Sequence, residues 1–99
     1  MAVHTYYTFT LQEGFKGLQR ALTDARVAIE QVKIDGNNAS IQIEMHGNNG
    51  TIKLEEIEAS DHPIARIGRV SAIVVTTPEG DSWIDLEPIL VLAFLRGGG

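Results

Sequence analysis

The sequence predicts an α+β domain: a mainly antiparallel sheet of about five or six strands, with one or two helices packed on one face. Three observations carry this. The N-terminal residues alternate with period two, the next stretch places apolar residues at helical spacing, and two Gly/Asn-rich turns then separate evenly spaced strand-like segments.

Val3, Thr5, Tyr7, Phe9 and Leu11 alternate with His4, Tyr6, Thr8 and Thr10, which predicts a first strand with its odd positions facing inward. Gly14 breaks the pattern. Phe15, Leu18, Leu22 and Ala25 then fall three, four and three apart, on one face of a helix over about 13–25. Ile29 and Val32 continue that spacing, so the helix could run towards residue 31. Against this, no glycine cap follows, and Val27 to Ile34 is rich in β-branched residues.

Asp35-Gly36-Asn37-Asn38 and Gly47-Asn48-Asn49-Gly50 are turn sequences, since Gly and Asn tolerate positive φ. Between them Ile41, Ile43 and Met45 alternate with Ser40, Gln42, Glu44 and His46. Strands at about 27–34 and 51–58 complete a three-stranded meander with four-residue connections, which favours ending the helix near 25. Pro63 closes the loop from Ala59, and Ile64 to Thr77 reads as a long strand with a bulge or bend at Gly68. Pro78 to Asp81 reads as a turn and Ser82 to Leu86 as a returning strand. Pro88 suits the first turn of a helix over Ile89 to Leu95, with Gly97 as its stop, although an apolar run of this length also suits a buried strand.

At 99 residues this is one domain over 1–96, with 97–99 a flexible glycine tail. There are no cysteines, hence no disulfides, no thiolate nucleophile and no cysteine zinc site. Met1 to Tyr6 lacks the basic start and apolar run of a signal peptide, and no apolar run approaches the roughly 20 residues of a membrane span. A cytoplasmic protein is expected. The net charge is 8 − 13 = −5, and most of it lies in the second half. Glu55, Glu56, Glu58 and Asp61 form one acidic cluster, and Glu79, Asp81, Asp85 and Glu87 a second. No basic stripe accompanies them, which argues against nucleic acid as a partner.

Catalytic patterns are weak. Ser60, Asp61 and His62 list the members of a hydrolase triad, but triads are assembled from distant residues, and local turn bonding explains the three better. His4, His46 and His62 lack metal-ligand spacing. Gly14 to Gly17 sits between strand and helix without either phosphate-cradling pattern, leaving Lys16 to greet an anion. Arg66 and Arg69 would share a face beside His62 only if Gly68 forms a bulge. Trp83 could stack on a flat ligand, though a core role beneath a helix is commoner for a lone tryptophan.

The leading expectation is therefore a non-enzymatic protein-binding or assembly module. Its composition is of the general kind found in small acidic inhibitors and immunity-type proteins, with the two acidic clusters meeting a basic partner. If the last strand lay near the third meander strand, the clusters would line one edge of the sheet, where charge also protects against aggregation. The alternative is a binder of small anions or nucleotides using Lys16, Arg66, Arg69, His62 and Trp83; an enzyme is third. Residues 89–95 are apolar on every side, more than one core needs, so a homo-oligomer, most simply a dimer, is expected. No cofactor or metal is expected. A chelator should accordingly leave the melting temperature unchanged, and a drop reversed by one divalent ion would show that the histidines converge.

Overall fold

The computed structural model describes residues 2–7, 9–59 and 70–97. The elements in chain order are β1 (Ala2–Tyr7), α1 (Leu11–Asp24), β2 (Ala28–Asp35), β3 (Asn38–Met45), β4 (Asn48–Ala59), β5 (Val70–Thr77), a 3-10 turn (Asp81–Trp83) and α2 (Leu86–Gly97). The five strands form one antiparallel sheet in the order β1-β5-β4-β3-β2, with both helices on one face. The chain thus starts at one edge, crosses to the other through α1, and meanders back until β5 pairs with β1. The crossing spans four strand spacings, about 19 Å. Fourteen helical residues reach about 21 Å. One helix of this length suffices.

Burial follows the pleat. Ile41, Ile43 and Met45 of β3, Ile52 and Leu54 of β4, and Ile73 and Val75 of β5 are buried against Leu18 and Leu22 of α1 and Leu86, Leu90 and Phe94 of α2. The Phe94 ring is central to this layer. It stacks on Tyr6 of β1 with centroids 4.1 Å apart and meets Phe9 edge-on at 5.2 Å. It also lies against Gly14, where an added Cβ would come within 3.1 Å of the ring. A Cβ on Gly17 would come within 3.2 Å of the Ala93 carbonyl. These glycines lie within α1 and let α2 approach closely; they do not ease a strand-to-helix loop.

Both ends of α1 are satisfied. Thr10 is its N-cap, bonded reciprocally with Glu13 in a capping box. A carboxylate oxygen of Glu56, on the helix-facing side of β4, accepts the Leu11 N–H, so an anion from the sheet sits at the helix N-terminus. At the other end the Val27 N–H donates to the Leu22 carbonyl and the Arg26 N–H to Thr23, with Arg26 at φ 62°. This is a Schellman motif, with arginine in the left-handed position that usually holds glycine. The helix does stop near residue 25.

The meander also stands, with tighter turns than expected. Gly36-Asn37 and His46-Gly47 are two-residue connections, and the second places both residues at positive φ (52° and 79°), as a type I′ turn requires. That hairpin grips the segment before α2. His46 Nε2 lies 2.8 Å from Asp85 Oδ2, Asn48 Nδ2 donates to Ser82 Oγ at 2.9 Å, and the Trp83 ring covers Gly50.

Three expectations change. The first strand ends at Tyr7, and its even positions face the helices: Tyr6 pairs with Ile73 and stacks on Phe94, while Val3 is 62% exposed on the other face. Both sets of residues suit a strand, so period two left the face undecided until α2 supplied an aromatic partner for Tyr6. Ser82 to Leu86 is not a strand. The chain turns through Gly80 at φ 120° into the 3-10 turn, and Leu86 opens α2 with Pro88 in its first turn. The acidic clusters do not line one edge, because β4 is the middle strand, flanked by β5 and β3. Ser60, Asp61, His62, Arg66, Gly68 and Arg69 lie outside the described residues, as do residues 98–99 of the glycine tail.

Left-handed backbone costs a residue with a Cβ about 1–2 kcal/mol. Arg26→Gly should therefore stabilise the protein by about 0.5–1 kcal/mol after the added backbone freedom of the unfolded chain is counted. A higher urea midpoint at unchanged slope would show it.

Candidate protein-binding surfaces

α2 presents more apolar surface than the domain covers. Leu86, Ile89, Leu90, Ala93 and Phe94 are buried, while Val91 and Leu92 remain 49% and 58% exposed, with Ile84 just before the helix at 67%. The two exposed flanks look in different directions. Leu92 shares a cleft with Gly17, Arg20, Ala21 and Asp24 of α1. Ile84 and Glu87 share another with Ala2 and His4 of β1, and Val91 lies one turn beyond Glu87 on that flank.

The helix-free face of the sheet is divided. One cross-strand row runs Lys33, Ser40, Lys53, Thr76, Val3, and the next Asp35, Asn38, Glu55, Val74, Thr5. In these rows charges occupy β2 and β4, with neutral polar residues of β3 between them; apolar and hydroxyl side chains occupy β5 and β1. A shallow groove of about 410 Å³ runs over the charged part and reaches Val74 and Thr76.

The eight carboxylates expected to meet a partner have different surroundings. Glu55 points from the helix-free face, whereas Glu56 is committed to the α1 N-terminus. Glu58 is exposed at the far end of β4. Glu79 and Asp81 are exposed after β5, at the opposite end of the sheet from Glu58. Asp85 is paired with His46, and Glu87 borders Tyr6. Asp61 is outside the described residues. The sheet thus carries two separate acidic zones.

The alternative anion-binding set is not gathered in one place. Lys16 is exposed on α1, and Trp83 is half-buried over Gly50. Arg66, Arg69 and His62 are outside the described residues. Of the histidines, His4 stacks on Tyr6 with centroids 6.2 Å apart, and His46 lines a cleft with Arg26, Glu44 and Asp85. Sequence spacing could not reveal the His46–Asp85 pair, because the two are 39 residues apart. Among the described residues, no three His, Cys, Asp or Glu side chains are placed to hold a metal ion, and no helix is long and apolar enough to cross a membrane.

Tyr6 joins these surfaces to the core. Burial, with a smaller contribution from the Glu87 charge, raises its phenol above the ordinary value. The fold therefore favours the neutral phenol, and that stability is complete below the unfolded value of about 10 and lost as pH rises through the folded one. Above about pH 10 the wild-type melting temperature should fall more steeply than that of Tyr6→Phe. No protein-family model matches the chain, and no curated protein sequence is significantly similar to it.

Proposed function

We propose that this chain is a non-enzymatic protein-binding or assembly module of the cytoplasm, which self-associates and presents acidic surfaces to a basic partner. One observation carries the reading: α2 buries one face on its own sheet and leaves Val91 and Leu92 exposed on the others. A helix that only covered a core would carry polar residues there. Apolar side chains left exposed on both flanks of a helix that already covers its core support an interaction site there.

The acids act on approach. Carboxylates around an apolar contact accelerate association with a basic protein and disfavour acidic competitors, while adding little to affinity. Glu55, Glu58, Glu79 and Asp81 are placed for this, and Glu56 is not, since its carboxylate holds the Leu11 N–H.

Light scattering coupled to size exclusion tests the self-association. Twice the 10.8 kDa of one chain is expected, and Val91→Glu combined with Leu92→Glu should weaken the dimer by roughly tenfold or more without lowering the melting temperature. A monomer at high micromolar concentration would overturn the reading. With a partner recovered from the native cell, Glu55→Lys with Glu58→Lys should slow association, and salt should slow the wild type.

A further inference from the structure

We infer that β1 is the joining edge of the dimer: two copies pair their β1 strands antiparallel, making one continuous ten-stranded sheet with α2 packed beside α2. This rests on the self-association proposed above and names its surface.

The two edges of the sheet are built differently. β2 carries Glu30, Lys33 and Asp35, and the ladder is interrupted by a bulge between Ile29 and Gln31. Charge and bulges are the usual devices that stop an edge from recruiting another strand. β1, Ala2-Val3-His4-Thr5-Tyr6-Tyr7, has no acidic residue, no lysine or arginine, no proline and no bulge, and it pairs with β5 in unbroken register. Alternate residues of such an edge direct their N–H and C=O groups outward.

Apolar side chains lie on both sides of that edge. Val3 is exposed on the helix-free face, and Ile84 and Val91 are exposed on the helix side. A second copy fits this better than a basic protein does. Each chain carries a formal charge of −5, and β1 itself contributes no carboxylate to a meeting of two such chains; the carboxylates beside it are Glu79 and Glu87 of the cleft with Ala2 and His4. A basic partner would find carboxylates in that cleft but none on the strand whose edge has to be paired.

Geometry agrees. A two-fold axis perpendicular to the sheet makes β1 self-complementary and leaves both helix layers on the same side. α2 covers β1 and β5, as the Phe94–Tyr6 stack and the shared cleft with Ala2, His4 and Thr77 show. Strands lie about 4.8 Å apart. Two helices each seated over the two strands nearest the axis would be about 10 Å apart, close to the 8–10 Å of packed helices. Joining the sheets therefore brings the Val91 flanks together, and a short strand contact gains the helix contact that a stable interface requires.

Val3→Lys places a charge on the exposed edge. It should weaken the dimer by roughly tenfold or more in light scattering, with the melting temperature of the monomer retained. Val32→Glu, on β2, should leave the dimer intact. Amide exchange on the wild type supplies a second readout independent of any variant. Alternate β1 amides should be protected in the dimer and lose protection on dilution. A wild-type dimer that ignores Val3→Lys, or that Val32→Glu dissolves, overturns the edge pairing while self-association stands. A wild type monomeric at every concentration overturns both. Protection of β1 only when a different protein is bound overturns the second copy as occupant.

Discussion

The fold depends on the Phe94 ring more than on any other group. It closes the sandwich where the far end of the chain meets one continuous N-terminal stretch: β1 through Tyr6, the β1–α1 connection through Phe9, and α1 through Gly14. Stacked and edge-on rings at these separations contribute about 0.5–1.5 kcal/mol per pair beyond the area they bury. The ring also fixes depth. Without a side chain at Gly14, and with Gly17 lying on the Ala93 carbonyl, α2 can sit close enough for its apolar face to reach the sheet. The exposed flanks of α2 follow from that seating, because the residues turned away from Phe94 and Leu90 have no sheet beneath them.

Local chemistry made much of this legible in the sequence. The 3.6-residue spacing from Phe15 to Ala25 gave α1, and the turn residues around Gly36 and Gly47 gave the β2-β3-β4 meander, because each signal is decided within a few residues. Failures came where distant contacts decide. The face of β1 was set by an aromatic ring 88 positions further on, at Phe94. Ser82 to Leu86 left the sheet because the β3–β4 hairpin holds Ser82, Trp83 and Asp85 in a turn. The end of α1 was placed correctly although its cap, Arg26 in left-handed backbone, is a residue type that does not announce one.

The proposed surface was half visible. An apolar run too greasy for one face is a property of Ile89 to Leu95 alone, and it could be seen directly. That β1 is an edge could not, because strand order is fixed by α1 crossing the full sheet. Carboxylate identity was equally plain and carboxylate role was not. Glu55, Glu56 and Glu58 lie within four positions, yet one faces solvent from the helix-free side, one caps a helix and one ends a strand.

The crossover has a consequence for how the chain reaches its native state. Ala2 pairs with Thr77, so among the described residues β1 finds its neighbour in the sheet about 70 positions further along the chain. The β2-to-β4 hairpins close through two-residue turns and can form early. Joining β1 to β5 closes a loop of about 70 residues, and the entropy of that closure must be met before its contacts form. Contacts so distant slow the final step. Until it occurs, β1 is an uncharged strand with both edges open, and on the ribosome that interval lasts at least until β5 has been made.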